Sequence, residues 1–153
     1  RSKTQSSIYN IDNDRILTIG NSAGGFISLH NAIDNDEPLP DQESINDYPG
    51  ILSSVSASIT TGAVFPGEGL FSLNFDAGDA SCLIMHAEDF DPVTDTYWED
   101  DVIPFYEAII NSGNYAALVA LPSGSHGAGV GPFEEYREDI IPFIWNQLNI
   151  NEW

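Results

Sequence analysis

Ile16-Leu17-Thr18-Ile19-Gly20-Asn21-Ser22-Ala23-Gly24-Gly25 is an apolar run that breaks into a turn of small residues. Phe26, Ile27, Leu29, Ala32 and Ile33 follow at near-helical spacing, so the pattern changes from strand to helix across the turn. The turn fits Gly-x-Ser-x-Gly, a sharp strand-to-helix bend that lifts a serine to its tip. Such a bend needs small neighbours, and Gly20 and Gly24 are expected to give the room, with Ala23 and Gly25 keeping the rest compact. The helix behind it turns its positive N-terminal end toward Ser22, which favours anionic species there. By itself the pattern also arises by chance in Gly/Ser-rich loops; the preceding strand gives it meaning.

Two later segments repeat the arrangement of strand followed by a chemically equipped loop. Ser81-Cys82-Leu83-Ile84-Met85-His86 runs into Ala87-Glu88-Asp89-Phe90-Asp91-Pro92-Val93. Tyr115-Ala116-Ala117-Leu118-Val119-Ala120-Leu121 runs into Pro122-Ser123-Gly124-Ser125-His126-Gly127. A serine, a carboxylate (Asp89 or Asp91) and a histidine thus each follow a predicted strand, in that chain order. Loops at the carboxyl ends of parallel strands share one sheet edge, so the three can converge. Serine, base and carboxylate together are the groups that nucleophilic acyl chemistry needs.

On these residues the chain resembles the α/β-hydrolase superfamily, of the secreted carboxylesterase/lipase-like kind, whose chain order is serine, acid, histidine. Asp12-Asn13-Asp14-Arg15-Ile16 resembles the family's D-x-x-R-I lead into the nucleophile strand, and Gly20 to Gly25 its elbow. His86 to Val93 resembles its HGxxDPVV acid loop, and Gly124 to Gly127 its GxGH histidine loop. The resemblance extends from Ile11 to about Leu148, and the elbow with its lead-in is the specific part. It implies Ser22 as nucleophile, His126 as base and the Ala23 N–H as an oxyanion donor. Asp91 matches the Asp-Pro-Val tail and is the favoured acid; Asp89, nearer the strand end, is the alternative. Ala87 departs from the usual glycine, the acid loop is one residue longer than usual, and Ser125 stands where relatives carry glycine. His86 has a structural place in that loop.

The resulting fold class is α/β: the C-terminal half of an α/β-hydrolase parallel sheet with flanking helices, the N-terminal strands missing, as a single partial domain over 1–153. Strands are predicted at 15–20, 52–58, 81–86 and 115–121, fewer than the family's sheet has. The strand at 15–20 then carries a bare apolar edge that invites association, and parallel strands need helices on both faces. A second polypeptide, or a missing N-terminal half, is therefore expected to complete the sheet. The resemblance also assigns the second oxyanion donor to a loop after the third strand of the whole fold, which has no counterpart here. Loss of one such donor lowers rates by about a hundred- to a thousandfold, so the chain alone is expected to be a poor catalyst.

Twenty-four acidic residues against four basic ones give a net charge of −20 over 153 residues. That surface repels nucleic acid and anionic membranes and offers no basic patch to either. A saline or extracellular setting screens the self-repulsion, which points to a secreted protein from a marine or halophilic source. Cys82 is the single cysteine, so no internal disulfide forms, and in an apolar strand it reads as a buried, inert thiol. No transmembrane run is visible.

Residues 34–50 carry Asp34, Asp36, Glu37, Asp41, Glu43 and Asp47 among Pro38, Pro40 and Pro49, a long loop that reads as a solvated surface excursion or part of a substrate-facing cap and whose spacing does not fit an EF-hand. A second loop, from Gly62 to Asp79, carries Phe65, Phe71 and Phe75, which either pack beneath it or line an acyl pocket. Helices are predicted at Trp98 to Ser112, regular from about Ile103 and capped by Gly113, and at Pro132 to Leu148, interrupted at Pro142. His30 falls in the helix after the elbow, in a surface or supporting place. The expected chemistry is hydrolysis of a small-molecule ester through an acyl-enzyme, with no metal or organic cofactor. A peptidase or thioesterase on the same fold, and a non-catalytic binding protein, are the alternatives.

Overall fold

The computed structural model describes residues 10–33, 55–67, 73–128 and 134–150. The opening apolar run forms β1, Leu17–Asn21, and passes through Ser22 straight into α1, Ala23–Ile33. β2 is Ala57–Thr61 and β3 Ser81–Ala87. A small antiparallel hairpin follows, β4 Phe90–Asp91 with β5 Thr96–Tyr97. A π-helical turn, Trp98–Val102, leads into α2, Ile103–Asn111; β6 is Ala116–Leu121 and α3 Arg137–Gln147. The four long strands form one parallel sheet in the order β1-β2-β3-β6.

Every residue of β2, and Cys82 to Ala87 of β3, is buried, as parallel strands covered on both faces must be. Alternation divides their side chains. Cys82 and Ile84 pack with Leu29 and Ile33 of α1 and with Phe105 and Ile109 of α2. Ile59, Leu83 and Met85 face the other way, onto Ile140 and Phe143 of α3. Between α1 and the sheet the contact is close and partly polar: the Ser28 hydroxyl meets those of Thr18 at 2.9 Å and Ser58 at 2.8 Å. The Asp12 carboxylate holds the turn before β1, accepting from the Asp14 N–H at 3.0 Å and from Arg15 Nε at 2.6 Å. Ser56 fastens that turn to the start of β2 by donating to the Asp14 carbonyl at 2.7 Å.

Several expectations shift. The second strand, predicted at 52–58, has residues 52–54 outside the described residues; β2 begins at Ala57, after Ser56 is spent on the Asp14 turn, and runs on to Thr61 as the β-branched Ile59-Thr60-Thr61 enters the sheet. The π-helical turn occupies the start of the predicted 98–112 helix, and Pro104 sits in the first turn of α2, where its missing N–H costs nothing. α3 continues through Pro142, which forfeits a single backbone bond while Ile140 and Phe143 stay buried on either side of it. Phe65 and Phe75 pack against Phe105, with ring centroids 6.1 and 6.0 Å apart, as aromatic packing beneath this loop requires. Cys82 is fully buried, and burial, with the Asp79 charge adding to it, pushes its thiol up to about 12. The acidic loop at 34–50, Phe71, and most of residues 1–10 lie outside the described residues. Among the described residues no helix is long and apolar enough to cross a membrane.

Candidate active site

The carboxyl ends of β1, β2, β3 and β6 lie along one sheet edge, and the loops leaving them build the site. At the end of β1 the ladder continues one step further, the Ser22 N–H donating to the Thr61 carbonyl at 2.9 Å. Ser22 itself adopts φ +54, a left-handed conformation that non-glycine residues rarely take. Its carbonyl then turns into α1 and accepts from the N–H groups of Gly25 and Phe26 at 2.8 and 3.1 Å. The glycines divide differently from expectation. A Cβ on Gly20 would collide with the Gly24 carbonyl, and one on Gly25 would come within 2.6 Å of Thr60 Oγ1 and 2.8 Å of the Ala63 Cβ. A Cβ on Gly24 would meet nothing within 4 Å. The close approach is therefore made by Gly20 and Gly25.

Ser22, Asp91 and His126 are brought together. The Asp91 carboxylate, fully buried, accepts His126 Nδ1–H at Oδ2 over 2.8 Å. That contact fixes the tautomer, so His126 Nε2 is free to accept the Ser22 hydroxyl, 2.8 Å away. Asp91 Oδ1 accepts the backbone N–H groups of Val93 at 2.9 Å and Thr94 at 3.4 Å. Burial pushes the Asp91 carboxyl up, but the His126 bond and these N–H groups outweigh it and hold it below the usual carboxylate value. Asp89 lies elsewhere: it is exposed, and its carboxylate accepts the Ser123 hydroxyl at 3.5 Å. Ala23 opens α1, where the first N–H groups of a helix have no partner within it.

The histidine loop is held from two sides. Its Gly124 N–H donates to the Phe90 carbonyl at 2.9 Å. Gly127 presses its backbone against Gly62, leaving no room for a Cβ on either: on Gly62 it would stand 2.7 Å from the Gly127 nitrogen, and on Gly127 it would strike Asn21 Oδ1. Asn21 also accepts the Thr61 hydroxyl, so the ends of β1 and β2 and the histidine loop form one joint. Thr61 and Gly62 had no part in the sequence-based site, and a glycine directly after a strand was the only signal for them; Gly127 entered it only as the end of the histidine loop. Ser125, next to His126 in this loop, has a buried hydroxyl with no hydrogen-bond partner among the described residues. Among the described residues no group of three His, Cys, Asp or Glu side chains is placed to hold a metal ion.

No protein-family model matches this chain, and no curated protein matches it. Solved structures do. An esterase of the Planctomycetes species Thermogutta terrifontis with butyrate bound superposes with a TM-score of 0.72 at 18% identity, over 98% of this chain and 62% of its own. A truncated carbohydrate esterase from gut microbiota gives 0.72 at 19% identity, over 97% of this chain and 65% of its own. Thermogutta terrifontis esterase 2 phosphorylated by paraoxon gives 0.68 at 19% identity, over 98% and 59%. The chain thus spans about three fifths of the length of the structures it resembles. At these identities the likeness carries the fold: a parallel four-stranded sheet flanked by helices, part of an α/β-hydrolase-like architecture.

Proposed function

We propose that this chain carries the nucleophile, base and acid of a serine hydrolase that cleaves carboxylic esters. The observation behind this reading is the unbroken sequence of contacts from Ser22 Oγ through His126 to Asp91, at 2.8 Å each, with Ser22 held at φ +54 on the tip of the elbow. His126 takes the Ser22 proton as Oγ attacks the ester carbonyl carbon, and Asp91 stabilises the imidazolium that forms. The Ala23 N–H and the N-terminal end of α1 stabilise the oxyanion. Collapse of the tetrahedral intermediate returns the proton to the leaving alcohol, and water then repeats the sequence on the acyl-enzyme. That the similar structures are of esterases makes an ester the favoured acyl donor over an amide or thioester.

A fluorophosphonate probe is expected to label Ser22 in the native protein. Ser22→Ala abolishes labelling and lowers turnover of p-nitrophenyl esters by at least about a thousandfold. Absence of labelling in the native protein would end the enzymatic reading, and preference for peptide amides over short esters would replace esterase by peptidase.

Two further parts belong to the proposal. A polypeptide segment, from the same or a second chain, lies against the outer edge of β1 and supplies the second oxyanion donor. Its support is a groove of about 410 Å³ beside that edge, lined by Ile19, Ile140, Ile141 and Ile144 together with Glu134 and Arg137. The protein works outside the cell, where salt screens its −20 charge; recovery of the protein from cells rather than from the medium of its source culture would contradict that.

A further inference from the structure

His86 stands at the end of β3, fully buried, and takes no part in the proton path from Ser22 to Asp91. Its Nδ1 lies 3.3 Å from the Ala87 carbonyl, which can only accept, so Nδ1 carries the proton. Nε2 is then an acceptor, and the buried Thr96 hydroxyl donates to it at 3.0 Å. With its proton committed there, Thr96 Oγ1 accepts the Thr94 hydroxyl at 2.7 Å. Thr94 is thereby held twice: its hydroxyl leads through Thr96 to β3, and its N–H reaches Asp91 Oδ1 at 3.4 Å. The β4–β5 hairpin has two residues in each strand, too few to fix a carboxylate by ladder bonds alone. Yet it must aim Asp91 at His126 from a buried position.

We propose that Thr96 and neutral His86 are positioning residues: through Thr94 they anchor the hairpin to the sheet and so set the direction of the Asp91 carboxylate toward His126. The neutral form matters as well as the anchor. His86 Nε2 lies 3.9 Å from Asp91 Oδ2, the same oxygen that accepts from His126. A proton on Nε2 would compete for that oxygen and break the bond from Thr96; the Thr96 hydroxyl prevents this by occupying Nε2 as a donor. Asp91, His126 and Asp101 are the ionisable groups acting on this ring. The inference deepens the esterase reading and rests on it for the effect on turnover, while the anchor itself can be observed without turnover.

Thr96→Val keeps the shape and removes the donor; Thr96→Ser keeps the donor. In the full protein Thr96→Val is expected to lower kcat roughly tenfold with KM little changed, and Thr96→Ser to restore it. In an Asp91→Asn background Thr96→Val is expected to cost nothing more, because its effect passes through Asp91. Equal losses in both backgrounds, or failure of serine to rescue, would overturn the proposal. The second readout is the downfield proton resonance of His126 Nδ1–H, assigned by its loss in His126→Gln. It is expected to shift or broaden in Thr96→Val and persist in Thr96→Ser; an unchanged resonance in Thr96→Val overturns the anchor. A protein whose resonance responds in this way but which turns over no ester retains the anchor and loses the esterase reading.

Discussion

Two histidines sit within reach of one buried carboxylate and have opposite tasks. His126 is partly exposed and turns one nitrogen to Ser22, whereas His86 is sealed in the sheet. Burial is the largest influence on His86 and lowers its pKa from 6.5; the Ala87 carbonyl and the charge of Asp91 oppose it, His126 reinforces it, and Asp101 opposes it more weakly. The sign for stability follows. As pH falls below about 6.5, His86 gains a proton in the unfolded chain but not in the native one, so the unfolded state binds more protons and stability falls. The loss continues until the pH reaches the depressed native value. Between about pH 7.5 and about pH 5 the urea midpoint of the native protein is therefore expected to drop more steeply than that of His86→Asn. The variant should start lower, having lost the Thr96 and Ala87 contacts. Parallel pH profiles would show that His86 titrates alike in both states. At this scale the meeting of Ser22, Asp91 and His126 was legible because each follows a predicted strand and matches a motif. Thr94, Thr96 and the tautomer of His86 were not, since a hydroxyl's partner depends on a hairpin only two residues deep.

Among the elements, the β1–α1 bend was the most legible because its period changes from strand to helix within a few residues. Which glycines make the bend was not, because close approach depends on where α1 crosses β1 and β2. That gives a prediction within the bend. Gly20→Ala and Gly25→Ala are expected to destabilise the protein by about 1–3 kcal/mol each, since the added methyl meets backbone at Gly24 in one case and Thr60 and Ala63 in the other. Gly24→Ala enters open space in the first turn of α1 and is expected to be neutral or to stabilise by up to about 1 kcal/mol, through the lower entropy of the unfolded chain. Thermal melts of the three variants decide the matter, and a destabilising Gly24→Ala would contradict this account of the elbow. The start of β2 and the β4–β5 hairpin escaped the sequence for a related reason. Ser56 looks like a strand residue until its hydroxyl is spent on Asp14, and two-residue strands have no readable period.

For the molecule as a whole the deciding feature is the outer side of β1. The Ile16 carbonyl and the Ser22 N–H both turn toward β2, so strand alternation turns the N–H groups of Leu17 and Ile19 away from it. Beside them Ile19 is 39% exposed and Ile141 36%, both lining the groove against α3. Among the described residues nothing pairs with this side of β1, and an edge strand with apolar flanks is a template for another strand that natural proteins rarely leave bare. Among the described residues the groove lining is four isoleucines with a single Glu134–Arg137 pair, so little charge guards it. If a segment of the native protein pairs with β1, the Leu17 and Ile19 amides are protected from hydrogen exchange to nearly the same degree as those of β2, which is buried throughout. Ile141→Lys and Ile144→Lys together would place two charges in the covered groove and release that protection, and ester turnover would fall with it as the second oxyanion donor is displaced. Leu17 and Ile19 amides that exchange as fast as those of exposed loops in the native protein would mean that the sheet ends at β1, and the whole oxyanion site would then have to be found within the loops that surround Ser22.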